Sequence, residues 1–165
     1  MKKLLLPALL TLLLGGCGYK PATHYTNAVL GERIFADVQI PLSDPQSGPI
    51  LLDALNEAIV SKFGARLSSR QEADTHLFIR EARHSISALQ RDANGFVILY
   101  RSTVTMTTLV KSPSVHNRVF SVSGYYDFPV EPSSVLSEEA RTAAAREAAL
   151  KALDELLARL VLMGR

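Results

Sequence analysis

Residues 96–111 read FVILYRSTVTMTTLVK, and their alternation decides the class of fold. Phe96, Ile98, Tyr100, Val104, Met106 and Val110 fall on one side of an extended chain, while Arg101, Thr103, Thr105, Thr107 and Lys111 fall on the other. A period of two sustained over that length predicts a long half-buried strand with a β-branched polar face, the pattern of antiparallel sheet. Its neighbours in sequence supply partners. Upstream, Asp92-Ala93-Asn94-Gly95 is a chain reversal, and the run from Thr75 to Leu89 reads as the preceding strand. There Leu77 and Ile79 favour one face but Ala82 and Ile86 the other, which a bulge between Arg80 and His84 reconciles. Downstream, Lys111–Asn117 with Pro113 is a second reversal, and Arg118–Phe128 is a strand with Phe120, Val122, Tyr126 and Phe128 on one face. Gly124 interrupts that face and marks either a bulge or a close neighbour.

The flanks complete the layout. Ile34, Ala36, Val38 and Ile40 alternate as a first strand, stopped by Pro41. After a turn-rich link, Leu52, Leu55, Ile59 and Phe63 recur at helical spacing, so residues 49–63 read as a helix. Ser47 or Gly48 caps its start, Pro49 sits in the first turn, and Gly64 ends it. Glu138 to Met163 is a second and longer helix capped by Ser137, with Glu138 and Glu139 at the positive end of its dipole. Its stripe is Leu136, Ala140, Ala143, Leu150, Leu153, Leu157 and Leu160. Glu147–Lys151 and Glu155–Arg159 are set to pair on the exposed side, and the alanine-rich first half allows close approach to the sheet. The order β-α-β-β-β-α predicts an α+β two-layer sandwich: a mostly antiparallel four-stranded sheet with two helices on one face and the other face open.

The N-terminus is of a different kind. Lys2 and Lys3 precede an apolar run from Leu4 to Leu14, and Leu14-Gly15-Gly16-Cys17 follows. Charged, apolar and small-residue regions in that order form a secretory signal. The run is too short to cross a bilayer core, which needs roughly 20 apolar residues. The last four residues resemble the bacterial lipobox. That resemblance implies cleavage before Cys17, the only cysteine, and acylation of its thiol and new amine, giving an anchor of several chains that holds stably. Gly18, where an aspartate would favour the inner membrane, implies the outer one. The chain then divides into a signal over 1–16, a lipid-anchored tether over 17–33 and one α+β domain over 34–165.

Composition narrows the function. The formal charge of +2 comes from 18 basic against 16 acidic residues, and loss of Lys2 and Lys3 leaves the two signs equal. A mature domain without net charge does not suit nucleic acid, which calls for a basic face or stripe. The histidines at 24, 76, 84 and 116 form no close metal-binding pair. There is no phosphate loop of the form GxxxxGK[ST] or GxGxxG, and no GxSxG elbow. Glu138 and Glu139, adjacent on a helix, point apart and cannot flank one bond. Binding rather than catalysis is the expectation, with no metal and no cofactor. The basic residues to consider are Arg91 beside the first reversal, Lys111 and Arg118 around the second, and Arg101 on the threonine face, where a cation among short side chains can address a docked partner.

Taken together, the lipobox, the Cys17-Gly18-Tyr19 start and the order of elements resemble the lipopolysaccharide-assembly lipoprotein family LptE, also called RlpB. The closest local likeness is the hairpin Leu89-Gln90-Arg91-Asp92-Ala93-Asn94-Gly95, followed by Tyr100 and the threonine- and valine-rich run to Val110. The resemblance implies a protein at the periplasmic face of the outer membrane. It implies that the domain plugs a large β-barrel translocon, helps it assemble and assists delivery of lipopolysaccharide to the cell surface. It also implies contact between lipopolysaccharide and basic side chains at one sheet end, where Arg91 matches one such residue. A second basic residue is missing from the strand Ser121-Val122-Ser123-Gly124-Tyr125-Tyr126, and Lys111 and Arg118 are the nearest substitutes. The alternative from another class is a lipid-anchored regulator of a periplasmic cell-wall enzyme, or a secretion-apparatus subunit. Only about 16 residues separate Cys17 from the first strand, a short reach for a partner in the wall.

Overall fold

The computed structural model describes residues 29–39, 47–132 and 134–163; the signal, Cys17 and most of the stretch read as a tether lie outside them. Seven elements follow in order: β1 Arg33–Val38, α1 Ser47–Glu57, β2 Arg66–Leu67, β3 Thr75–Arg91, β4 Val97–Ser112, β5 His116–Pro129 and α2 Glu138–Met163. They build one five-stranded sheet in the order β2-β1-β3-β4-β5. The expected meander is present, β3 pairing β4 and β4 pairing β5 antiparallel. The correction is at the other side. β1 runs parallel to β3, and a fifth strand, the two-residue β2, adds parallel to β1. Parallel neighbours need a crossover connection, and the passage through α1 after β1 supplies it. Two residues, Arg66 and Leu67, are too few to show any alternation.

α1 begins at Ser47 with Pro49 in its first turn, then widens into a π-helical turn over Ala58–Lys62. There the amide of Phe63 donates to the carbonyl of Ala58 at 2.8 Å, and the Ser61 hydroxyl donates to the carbonyl of Glu57 at 2.6 Å. The expected helix through Phe63 is therefore present but not uniformly α, and its wider last turn keeps both Ile59 and Phe63 fully buried. Gly64 ends it at φ 66°. α2 covers the predicted span, with the Ala140 amide donating to the Ser137 hydroxyl at 3.2 Å. Its buried stripe is rotated from the expected one. Ala144, Ala145, Ala148, Ala149, Ala152, Leu156 and Leu160 are buried with Leu150 and Leu153, whereas Ala143 is exposed. Glu155 pairs with Arg159 at 2.5 Å, but Glu147 meets Arg146 at 3.7 Å rather than Lys151.

The core lies between the two helices and one face of the sheet, joining Ile34, Leu55, Leu77, Ile79, Val104, Met106, Val110, Phe120 and Val122 to α2. It begins before the first strand. Val29 and Leu30, within the stretch read as tether, are buried. The Thr75 hydroxyl donates to the carbonyl of Leu30 at 2.5 Å, and that of Ser112 to the carbonyl of Val29 at 3.3 Å. The helices are tied to each other by Lys62 Nζ on Asp154 at 2.6 Å and by Arg146 on Glu57. The bulge foreseen between Arg80 and His84 occurs one step earlier, the register shifting between Ile79 and Glu81, and two more shifts follow between Ala88 and Arg91.

Gly124 lies in regular register opposite Val104, so it is not a bulge. The close neighbour is the alanine-rich part of α2, whose backbone at Ala148 and Ala152 crosses directly over it.

Candidate functional site

Beyond the two helices the β3–β4 hairpin continues as an exposed blade, with residues 87–91 and 93–96 all solvent-facing. Its tip is a tightly bonded turn. Asp92 Oδ1 accepts from the amides of Asn94 at 2.9 Å and Phe96 at 2.8 Å, and Gly95 takes φ 87°. Arg91 Nη1 donates to the carbonyl of Gly95 at 2.8 Å, which sets the exposed guanidinium across the turn. The hairpin is a rigid mount for one cation.

The second feature is the sheet face that no helix covers. Successive rows across β3, β4 and β5 read Glu81–Thr107–Ser121, Arg83–Thr105–Ser123, Ser85–Thr103–Tyr125 and Ser87–Arg101–Asp127. Short hydroxyl side chains dominate, and Thr105 and Ser123 bond to each other at 3.1 Å. Arg101 is not free, as the expectation of a partner-seeking cation required. Its Nε and Nη2 each donate to one oxygen of Asp127 at 2.7 Å, and its Cζ lies 4.2 Å from the centre of the Tyr125 ring. Nearer β1 the same face carries aromatic side chains, Phe35, His76 and Phe78, with centroids about 6 Å apart. Arg70 and Lys111 lie over these rings, each 5.6 Å from Phe78.

The four basic candidates are therefore not one site. Arg91 is at the hairpin tip, and Arg101 is four residues into β4 and locked to Asp127. Lys111 and Arg118 stand at the far end, Lys111 over Phe78 and Arg118 with Nη1 3.8 Å from the Met163 sulfur. At roughly 3.3 Å per residue the two ends of β4 are about 50 Å apart. Cys17 lies outside the described residues. Tyr125 and Asp127 were not foreseen as site residues, although both alternate onto the polar face of β5 and so stand in the rows of Thr103 and Arg101.

Hydrogen bonds from Arg101, reinforced by its charge, hold the Asp127 carboxyl below the usual carboxylate range. The same holds for Asp74, which accepts from the side chain and amide of Arg33. A carboxyl depressed by folding contributes stability that is complete above its unfolded pKa and is lost as pH falls through its folded one. Urea midpoints measured from about pH 5 down to about pH 2 are therefore expected to fall less steeply for Asp127→Asn than for wild type. Identical slopes would mean that the pair contributes nothing.

A cleft of about 250 Å³ lies between the starts of α1 and α2 and strand β3, lined by Leu51, Val104 and Ala145 together with Arg83, His84 and Arg141. His84 Nε2 is 2.9 Å from the Ser102 hydroxyl. Among the described residues no cluster of three histidine, cysteine or acidic side chains is placed to hold a metal ion, and no helix is long and apolar enough to cross a membrane.

Residues 35–160 match the family LptE, described as lipopolysaccharide-assembly. The chain belongs to LptE. The match spans β1 to the last turns of α2, so the whole sheet-and-helix unit is the family's domain, and membership gives this LptE protein a role in lipopolysaccharide assembly. No curated protein matches it. Among solved structures, the rare lipoprotein B from Shewanella oneidensis is 13% identical, with 81% of this chain and 99% of that one covered at a TM-score of 0.50. A minor lipoprotein from Acinetobacter baumannii is 11% identical over 79% of this chain and 91% of that one, with a TM-score of 0.49. At such identities the first likeness speaks for the fold alone.

Proposed function

We propose that this LptE protein is an outer-membrane lipoprotein, anchored through acylated Cys17 and facing the periplasm. In this reading it binds and plugs the β-barrel translocon for lipopolysaccharide and presents Arg91 to the passing glycolipid. The observation that carries the reading is the polarity of the molecule's long axis. The described chain enters at Val29 and Leu30, held by Ser112 and Thr75 at one end of the meander, whereas the Arg91 turn is at the other. An anchor at the first end puts the tip roughly 50 Å away, about the thickness of a bilayer with its headgroups, ~40–45 Å. A barrel lumen is polar and hydrated, and the threonine and serine rows make a rigid polar wall to match it. Anchoring in the same membrane raises the effective concentration of both partners, so contacts of moderate strength suffice.

The test is affinity copurification of the tagged, lipidated protein from detergent-solubilised outer membrane. One large β-barrel at about 1:1 is the expected result; a cell-wall enzyme, or no stoichiometric partner, overturns it. Because Arg91 sits on an exposed turn and Arg101 is part of a structural pair, charge reversal at Arg91 alone is the informative variant. Arg91→Glu is expected to recover the barrel normally while weakening lipopolysaccharide binding by about tenfold to a hundredfold, the range of one or two charge-assisted hydrogen bonds. Unchanged binding would move the glycolipid contact away from the tip.

A further inference from the structure

The open sheet face has a chemistry of its own that differs from that of the hairpin tip. Within the four rows from Glu81 to Asp127 the formal charges balance, Arg101 in an ion pair with Asp127 and Arg83 and Glu81 supplying one charge of each sign two residues apart on β3. Two donors of the Arg101 guanidinium are taken by the two oxygens of Asp127, so its bidentate edge is not open to a phosphate. Between these charges stand hydroxyls of Thr103, Thr105 and Ser123, groups that donate or accept as a ligand requires. Beside them Tyr125 is 59% exposed. The Arg101 guanidinium covers one side of its ring at 4.2 Å and fixes its orientation, leaving the rest of the ring as a flat apolar plate in a polar field.

Those properties select a ligand class. A pyranose presents a patch of C–H bonds on one face, which packs on an aromatic ring, and hydroxyls around its rim, which bond to planar charged side chains and to other hydroxyls. A neutral, flat, hydroxyl-lined surface with one oriented ring suits a polyhydroxylated chain that must be held weakly and released. It does not suit an acyl chain, which needs a concave apolar pocket. We propose that the face around Tyr125 is a shallow platform for the saccharide part of lipopolysaccharide. This rests on the plug reading, in which the sheet lies along the export path, and it assigns the sugar chain a surface separate from Arg91.

The test is saturation-transfer NMR on the full-length protein in detergent, titrated with lipid-free polysaccharide cleaved from lipopolysaccharide. Wild type is expected to give transfer to ring protons of the sugar. Tyr125→Phe keeps the plate and is expected to bind within about threefold of wild type, whereas Tyr125→Ser is expected to bind about tenfold more weakly. Both substitutions are on the solvent side of an edge strand. No transfer to wild type overturns the proposal, as does equal transfer to the serine variant. Copurification with the same variant separates the two readings. If Tyr125→Ser loses the barrel while polysaccharide binding persists, the face is a protein contact and the platform is overturned. If wild type recovers no barrel but binds polysaccharide through Tyr125, the plug reading falls and the sugar contact stands.

Discussion

Gly124→Val is expected to leave the protein unable to fold. A Cβ at this position would lie 2.2 Å from the carbonyl oxygen of Ala148, 2.3 Å from the amide nitrogen of Ala152 and 2.8 Å from the carbonyl carbon of Lys151. All three are backbone atoms of one helix turn, so no side-chain rotation relieves the contact. The helix must lift from the sheet, and Ala148, Ala149, Ala152 and Leu153, each fully buried, lose their packing with it. Overpacking that flexible side chains absorb costs about 1–3 kcal/mol; here the neighbour is rigid, and more than about 4 kcal/mol is expected. That removes most of the margin of a domain at the lower end of the usual stability range, roughly 5–15 kcal/mol. Even Gly124→Ala introduces the same Cβ and is expected to lower the urea midpoint sharply. Gly95→Ala is the control. Nothing lies within 4 Å of its Cβ, but φ is 87°, so the cost is confined to the left-handed backbone, about 1–2 kcal/mol. A near-native midpoint for Gly124→Ala would mean that α2 is not seated on β5.

The same glycine shows how far the sequence can be read. A lone glycine on the apolar face of a strand, with an alanine-rich helix later in the chain, already carried the close approach. The meander, both helices, the Ser137 cap and the Gly64 stop were legible because each rests on local periodicity or local backbone chemistry. The fifth strand was not, because Arg66 and Leu67 pair only after α1 has brought them to β1. The rotation of the α2 stripe was hidden for a related reason: alanine is apolar without declaring a side, and only the helix crossing over Gly124 decides which alanines are buried.

At the candidate site, Arg101 was visible as a cation among threonines, but its partner was not. The hairpin closing from Ser112 to His116 pairs residues whose numbers sum to 228, which puts Asp127 opposite Arg101. That sum follows only when the turn is known to the residue, and several closures of Lys111–Asn117 were compatible with the sequence. Between β3 and β4 no single sum holds, because three register shifts intervene. The Phe35, His76 and Phe78 cluster depends on the parallel register of β1 with β3, a contact between segments some forty residues apart in the chain.

The double substitution Glu155→Ala with Arg159→Ala is expected to turn a protected sheet edge into an adhesive one. β5 is an outer strand of 14 residues, and every second residue points its amide and carbonyl away from β4. In the middle of that edge the exposed groups are taken by side chains of α2. Glu155 Oε2 accepts from the amide of Ser123 at 2.8 Å, and Arg159 Nη1 donates to the carbonyl of Ser121 at 3.0 Å. The two side chains also pair with each other, at 2.5 Å. A strand from another molecule has to displace this latch before it can add to β5. The amide of Ser123, followed by Arg159, holds the Glu155 carboxyl below the usual range, so acid releases the latch only below the pH at which an ordinary glutamate protonates. Loss of the charge-assisted bonds costs about 1.5–3 kcal/mol, and the opened edge is expected to give concentration-dependent association in sedimentation of the detergent-solubilised protein. Glu155→Gln keeps an acceptor for Ser123 and gives up the charge, so it is expected to fall between the two. In the proposed plug role the edge matters because a domain seated in a barrel is surrounded by strands with which its own backbone must not merge. A double variant that sediments as wild type does, with an unchanged urea midpoint, would reduce the Glu155–Arg159 pair to an incidental surface contact and leave β5 protected by its twist and its partner alone.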